Sequence, residues 1–248
     1  MPFTFAHPAI VLPFGRLSKR WVSLTGLVAG SMTPDFEYFI RMRVSSIYSH
    51  TWPGLFWFDL PLGFMLVLLY QSLVKDKLII YLPNWLNRRF SSFNDHPNYS
   101  FIYFLIIVVS VWLGALSHLL WDAFTHPEGY FIRVIPALSR TIILLHRPVY
   151  IYKILQHGST IIGFAIILLT IFKLPNGNIS KAEHIGNYWL KIVAVMVVVL
   201  VLRLLSGLSL HAYGDWIVTA ISGSLLGLLI VSVFAPSYQA LHPHQQMP

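Results

Sequence analysis

The chain has 248 residues with a formal net charge of +8, and 56% of its residues are hydrophobic while only 10% are charged. Soluble domains carry roughly 25% charged residues, so this composition excludes a soluble domain and predicts an integral membrane protein. The absence of cysteine excludes disulfides and thiolate ligands. The positive charge favours membrane lipids with anionic headgroups as partners, and no cluster of Lys and Arg interleaved with aromatics indicates nucleic-acid binding.

The segment before the first long apolar run is more amphipathic than the rest of the chain. Residues 18–33 predict a short packed helix that ends at Pro34. Asp35, which follows, is either an ordinary turn residue or a metal ligand at a helix terminus. Taken singly, His7 is typical of a packed apolar segment, and His50 is typical of a membrane interface.

Five apolar runs predict membrane-spanning helices, because about 20 residues cross the hydrocarbon core. The third run is short and predicts a marginal span. In the first run, Asp59 is expected either to cap a helix that begins directly after it or to bond to His50. Residues 49–58 would then be irregular or re-entrant, and polar loops are expected at 75–100 and 122–157. The runs are residues 55–74, 101–121, 158–174, 189–207 and 215–235.

These features predict an all-α polytopic helical bundle in the membrane, with about five spans and a short N-terminal packed helix. One membrane-embedded domain is expected over residues 1–240, followed by a disordered tail at 241–248. If the first two runs cross the membrane, the chain before residue 55 and after residue 121 lies on one face. The loops on that face carry more Lys and Arg than the others, which favours the cytoplasmic side.

The strongest chemical signal ends the second run, where residues 117–126 read SHLLWDAFTH. His118 and Asp122 lie one turn apart on one helical face, and imidazole with carboxylate is ligand chemistry for zinc, manganese or iron. Alternatively, Asp122 ends the helix, His118 bonds to a neighbouring carbonyl, and the pair only cross-links helices. His126 is expected as a ligand or as a residue that orients one, and His157 as a helix-start ligand or an interfacial residue.

Several motifs together resemble an uncharacterised bacterial membrane family, the domain of unknown function 4184. The resemblance implies an integral protein of the bacterial inner (cytoplasmic) membrane and names no activity. The motifs are MPFTFAHPA at 1–9, GSMTPDFEYF at 30–39, SHTWPGLFWFDLP at 49–61, SHLLWDAFTH at 117–126 and QHGS at 156–159.

More distantly, the order His, Pro-Asp, His and His-x-x-x-Asp is similar to the membrane-bound metal-dependent hydrolases and to the zinc-dependent phospholipase C fold. The phospholipases also use the main chain of an N-terminal Trp and a late Glu, which this chain lacks. The resemblance therefore implies a smaller site with one or two metals. The metal ligands that it implies are His7, Asp35, His50, His118, Asp122, His126 and His157.

The expected function is that of a membrane-embedded, metal-dependent hydrolase acting on a phosphoester or lipid-like substrate at the membrane face. A divalent metal, zinc in the first place and manganese or iron otherwise, would activate water and polarise a phosphoryl or acyl oxygen. Asp35 would bridge metals or act as the base. Arginines near the site would suit an anionic phosphate, and these are Arg41, Arg43, Arg133 and Arg147.

The alternative function is non-catalytic. In a transporter, metal carrier or scaffold, the same residues would form a transport or structural site. Many transporters contain paired broken helices in two related halves. The sequence has no such symmetry, which favours the enzyme.

Overall fold

The computed structural model describes residues 3–18, 20–93, 100–144, 146–177 and 184–236. Helices make up most of this part of the chain, which confirms the predicted all-α class. Within these described ranges, five helices are long and apolar enough to cross a membrane, as predicted from the five apolar runs. They are Trp52–Ile80, Phe101–Val134, Ile151–Lys173, Ile185–Leu205 and Tyr213–Phe234.

The elements follow one another in a simple order along the described chain. The helices are α1 (Pro8–Val11), α2 (Leu24–Met32), α3 (Phe36–Arg41), α4 (Trp52–Ile80), α5 (Asn84–Phe90), α6 (Phe101–Thr125), α7 (Tyr130–Val134), α8 (Ile151–Lys173), α9 (Ile185–Leu205) and α10 (Tyr213–Phe234). The 3₁₀ turns are Thr4–Ala6, Leu12–Arg16, Thr33–Asp35, Ser91–Phe93 and Pro136–Ser139. The strands β1 (Thr141–Leu144) and β2 (Arg147–Tyr150) form one antiparallel hairpin.

The chain divides into two compact units, each made of segments that are separate in sequence. The first unit is Met1–Asp35, Ile47–Val67 and Asn98–Phe172, and the second is Phe36–Ser46, Leu68–Pro97 and Lys173–Pro248. All the residues predicted as metal ligands belong to the first unit. The prediction of one domain over residues 1–240 stays a prediction, and the predicted tail at 241–248 lies outside the described residues.

In the first unit, α2 packs against α6 with very little space between the two backbones. Gly30 of α2 lies against the backbone of Val111, and Gly114 of α6 lies against the backbone of α2, so neither position has room for a side chain. The N–H group of Ser23 donates to the Oγ of Ser110 (2.9 Å), and the side chain of Ser23 also caps α2. Small residues at helix contacts permit such close approach in membrane proteins.

Two predictions about helix boundaries at the N-terminal end are wrong. The helix expected over residues 18–33 begins only at Leu24, because Ser23 caps it there. Pro34 does not end the helical path, since it lies in a 3₁₀ turn that leads directly into α3. This turn places Asp35 at a junction between two helical segments, where its side chain is fully buried.

The first span begins earlier than the sequence suggested. The Oγ1 of Thr51 accepts a hydrogen bond from the N–H group of Gly54 (3.0 Å), so Thr51 caps α4 and residues 52–58 are helical. The prediction that Asp59 caps this helix is therefore wrong. Asp59 instead ends a π-helical segment, Leu55–Asp59, and is fully buried.

The remaining differences concern the third span and the two expected polar loops. The third span is not marginal, because α8 begins at Ile151 and buries Tyr152 and Gln156 one turn apart. The loop expected at 75–100 contains the end of α4 and the whole of α5. The loop expected at 122–157 contains α7 and the hairpin, whose β-branched residues favour strand.

The second unit is held by its own aromatic and apolar core. Tyr81 stacks on Tyr188 with ring centroids 4.3 Å apart, and the hydroxyl of Tyr188 is hydrogen-bonded to Ser232 of α10 (2.8 Å). In the same unit, the Nε of Arg41 donates to the buried carboxylate of Glu37 (2.8 Å). Arg41 is thus engaged within its own helix.

The glycine contact between α2 and α6 generates a prediction. Gly30→Ala places a Cβ against the Val111 backbone, and overpacking of this kind destabilises by about 1–3 kcal/mol. Gly158→Ala is the matched control, because its Cβ meets nothing within 4 Å in α8. Thermal unfolding in detergent should show a lowered midpoint for the first variant and an unchanged or raised midpoint for the second. Equal midpoints would contradict the close packing.

Candidate metal centre

Separate segments of the first unit bring His and Asp side chains to one place. α6 contributes two of them, and the others come from the N-terminal segment, the turn after α2 and the loop before α4. We refer to these five residues as the cluster: His7, Asp35, His50, His118 and Asp122. Four of them are almost completely buried, with exposed fractions of 0% to 5%, and His50 is partly buried.

The predicted pair on α6 forms the centre of the cluster. The Nε2 of His118 lies 3.4 Å from the Oδ2 of Asp122, one helical turn later. The Nδ1 of His118 donates to the backbone carbonyl of Ser31 on α2 (2.7 Å). A carbonyl oxygen only accepts, so Nδ1 carries the hydrogen. When the ring is neutral, its Nε2 lone pair points into the cluster.

The cross-distances in the cluster match the spacing of ligand atoms around a metal ion. The Nε2 of His118 lies 3.6 Å from the Oδ1 of Asp35. The Nε2 of His50 lies 3.5 Å from each of the two carboxylates. Two ligand atoms bonded at about 2.0–2.1 Å to a tetrahedral zinc lie about 3.3 Å apart. The observed separations are close to that value and too long for good hydrogen bonds.

His7 approaches the same carboxylates from the N-terminal segment. Its ring stacks on His118 with centroids 3.7 Å apart, and its Nε2 lies 3.8 Å from the Oδ1 of Asp122. Two groups of three side chains therefore have ligand atoms within 4.8 Å of one another. They are His7, Asp35 and His118, and His50, His118 and Asp122.

Several buried polar atoms of the cluster have no hydrogen-bond partner within the described residues. They are the Nε2 atoms of His7 and His118, the Oδ1 of Asp35 and both carboxylate oxygens of Asp122. Burying such atoms without compensation costs about 1–3 kcal/mol for a neutral group and more for a charged one. These are ligand atoms that one or two cations would satisfy, so the donor set fits metal binding.

Hydroxyl groups outside the cluster orient its members. The Oγ1 of Thr4 donates to the Oδ2 of Asp35 (2.6 Å), which leaves Oδ1 directed at the histidines. The Oγ of Ser49 is hydrogen-bonded to the Nδ1 of His50 (3.0 Å). Such outer partners fix ligand orientation in metal sites.

None of the residues that orient the cluster was predicted from the sequence. Ser49 adjoins His50, so its role could have been suspected from the sequence. Thr4 acts on a carboxylate and Ser31 on an imidazole that are both far away along the chain. No local pattern could have indicated either contact.

Electrostatic effects act in different directions on the cluster residues outside the spans. Burial, together with the charge of His118, lowers the pKa of His7 to about 3. Burial alone would raise the pKa of Asp35, but the charges of His118 and His50 bring it below its ordinary value. Burial alone would lower the pKa of His50, whereas its contacts with Asp122 and Asp35 raise it to about 9. The carboxylates of Asp35 and Asp122 thus favour a positive charge at His50.

The last two predicted ligands lie in different surroundings. His126 follows the last turn of α6 and is half-buried, with its Nδ1 3.5 Å from the Oδ2 of Asp122. It lies outside both groups of three, at the rim of the cluster. His157 is exposed on α8, because successive residues turn by about 100° around a helix and Gln156 is the one that faces inward. The structure does not bring His157 to the cluster.

α8 contacts the N-terminal segment near the QHGS motif instead. The N–H group of Phe3 donates to the Oγ1 of Thr160 (3.0 Å), and Gly163 lies against the backbone of Ala6. These contacts hold the short segment that carries Thr4 and His7. α8 therefore supports the cluster through that segment.

A family model described as "Domain of unknown function (DUF4184)" matches residues 1–233. The chain belongs to this family. The match includes all five residues of the cluster, and the family description gives no activity. Searches of curated proteins and of solved structures found no match, so the more distant similarity to metal-dependent hydrolases and to phospholipase C gains no support from them.

The contact between Thr4 and Asp35 generates a prediction for this DUF4184 protein. Thr4→Val removes a buried donor to a carboxylate and should lower the free energy of unfolding by about 1.5–3 kcal/mol. Thr4→Ser keeps the hydroxyl and should retain most of the stability. Chemical unfolding of both variants in detergent measures the difference. A Thr4→Val protein as stable as wild type, beside a destabilised Thr4→Ser protein, would mean that the methyl group, and not the hydrogen bond, is what matters.

Proposed function

We propose that the cluster binds one or two divalent metal ions and that the protein is a membrane-embedded hydrolase. Zinc is the first candidate, and manganese and iron suit the same mixture of imidazole and carboxylate ligands. The observation that carries the proposal is the set of buried Nε2 and carboxylate oxygen atoms of His50, His118, Asp35 and Asp122, which lie 3.4–3.6 Å apart.

Charge balance supports the binding of a divalent ion. Asp35 and Asp122 are both buried, and the ion-pair partners found for them in the described chain are all histidines. Imidazoles bind metal ions in their neutral form, so a metal in the cluster would face the two negative charges of the carboxylates. One divalent cation cancels both charges.

The two groups of three share a ligand, which limits how ions can be arranged. The single lone pair on the Nε2 of His118 can bind only one ion. Asp122 directs Oδ1 toward His7 and Oδ2 toward the other histidines. A second ion would therefore be held by His7 and Asp122. Asp35 would offer its Oδ1 to an ion, because its Oδ2 accepts the hydrogen bond from Thr4.

The exposed fractions indicate where a substrate would approach. The side chains of His50 and His126 are 19% and 31% exposed, whereas those of Asp35 and His118 are 0% exposed. When bound, a divalent ion supplies Lewis acidity that activates water and polarises a phosphoryl or acyl oxygen. Asp35 would accept a proton inside the site, and His126 would exchange protons with the solvent at the rim.

The proposed substrate is a phosphoester or lipid-like molecule with an anionic phosphate, reached from the membrane face. Two of the arginines expected to bind the phosphate, Arg133 and Arg147, belong to the first unit and are exposed. Arg41 is a weaker candidate, because it is paired with Glu37. We further propose an inner-membrane location, with the site on the cytoplasmic side.

One observation favours a non-catalytic site as the second candidate. Structural zinc sites are closed, whereas catalytic sites keep an open position. His7, Asp35, His118 and Asp122 are all almost fully buried. A metal carrier or scaffold would use the cluster in this closed form, without turnover.

Elemental analysis of the detergent-purified protein tests the metal site. Wild type should contain near-stoichiometric zinc, manganese or iron, and His118→Ala and Asp122→Asn should lose it, because each removes a central ligand. His157→Ala is the matched control, since it removes an exposed imidazole and should retain the metal. Negligible metal in wild type after incubation with each ion, or equal metal in all four proteins, would contradict the site.

Turnover distinguishes the enzyme from the non-catalytic alternative. Metal-loaded wild type should hydrolyse at least one member of a panel of phosphomonoesters, phosphodiesters and phospholipids, and a chelator should abolish the activity. Asp35→Asn should lower kcat by about 10²-fold or more, through loss of a general base or of a metal ligand. Elemental analysis of this variant distinguishes the two, because only the loss of a ligand lowers its metal content. A protein that retains its metal but hydrolyses none of these substrates would favour the carrier or scaffold.

A further inference from the structure

The hairpin that joins the second and third spans has an unusual surface. It links the span Phe101–Val134 to the span Ile151–Lys173, so both of its ends are attached to helices that can cross a membrane. Each of its strands has four residues. A two-stranded hairpin is at best marginally stable in water by itself.

Apolar side chains project from both faces of this hairpin. Ile142, Ile143 and Leu144 are 45%, 81% and 49% exposed. Successive residues of a strand point to opposite faces, so this run places apolar groups on each face. The register pairs Ile142 with Val149 and Ile143 with Pro148, so the second strand adds to both apolar surfaces.

The charged residues between Glu128 and the third span's first turns are all basic. Residues 129–157 contain no Asp or Glu. Three exposed arginines belong to this part of the chain. Arg133 lies before the hairpin, Arg140 at its start and Arg147 in its second strand. Tyr130 and Tyr150, which are 66% and 47% exposed, add the aromatic rings typical of a membrane–water interface.

We propose that the hairpin enters the headgroup layer of the membrane and binds anionic phospholipids. Its apolar side chains would reach the boundary of the acyl chains, as the apolar face of an interfacial helix does. Arg140 and Arg147 would pair with lipid phosphates, which attract juxtamembrane basic residues. The attachment of the hairpin to two spans keeps it at the membrane surface. This inference does not depend on the metal site.

A single spin label tests the proposal directly, because the chain contains no cysteine. Ile143→Cys provides a unique attachment site at an exposed position in the full-length protein. After reconstitution in phosphatidylcholine vesicles with phosphatidylglycerol, the label should collide more often with oxygen than with a water-soluble nickel chelate. Circular dichroism should confirm that the labelled protein keeps its helicity.

Matched charge variants test the preference for anionic lipids. In the labelled protein, Arg140→Gln with Arg147→Gln should shift the label toward water, and so should omission of phosphatidylglycerol. Lys173→Gln with Lys191→Gln removes the same charge at exposed helical positions that are not part of the hairpin, and should leave the label where it is. His118→Ala should also leave the label in the membrane, which separates this test from that of the metal site.

Each other outcome overturns the proposal. A label that is accessible mainly to the nickel chelate in all vesicles would exclude membrane insertion. A label that stays in the membrane without phosphatidylglycerol and with both arginines replaced would exclude anionic-lipid binding. Strong dipolar coupling between labels on two molecules would mean that a second copy of the chain covers the hairpin.

Discussion

Two buried carboxylates, Asp35 and Asp122, are the constraint on which the arrangement of the first unit depends. Ionised carboxylates are costly to bury unless positive charge or hydrogen-bond donors surround them. The chain provides imidazoles from three separate segments, with Nε2 atoms 3.4–3.8 Å from the carboxylate oxygens. These distances are longer than those of good hydrogen bonds and close to the spacing of ligand atoms around one metal ion. A shared cation would complete this geometry.

The packing of the first unit serves this arrangement. The close contact at Gly30 and Gly114 brings α2 against α6, so that the carbonyl of Ser31 can accept the hydrogen bond from His118. The contacts between α8 and the N-terminal segment hold Thr4 and His7 in place. Helix packing and ligand orientation are therefore coupled, so a substitution that separates α2 from α6 should also displace the imidazole of His118.

The sequence predicted the spans well because a membrane helix is a local property of about 20 apolar residues. The spacing of His118 and Asp122 likewise predicted their contact, since four residues make about one helical turn. Helix starts were less predictable, because the caps at Ser23 and Thr51 are single residues in apolar surroundings. The prediction that Asp59 caps the first span was wrong because Thr51, eight residues earlier, is the cap.

Contacts between segments that are distant along the chain could not be predicted from local sequence patterns. The meeting of His7 and His50 with α6 was expected only from the family resemblance and from the shared membrane face. His157 lies outside the cluster because the rotation of α8 turns Gln156 inward and leaves His157 exposed. Of its two predicted roles, that of an interfacial residue stays open. Thr4 and Ser31 orient ligands that lie far along the chain, so only the structure identifies them.

X-ray absorption spectroscopy of the metal-loaded protein would identify the ligands of a metal ion held by Asp35, Asp122 and the histidines. We expect nitrogen and oxygen scatterers at about 2.0–2.1 Å from the metal, with multiple scattering from at least two imidazole rings. The imidazole contribution should disappear or fall sharply in His118→Ala. A spectrum of a fully hydrated ion, unchanged by that substitution, would contradict the proposed centre.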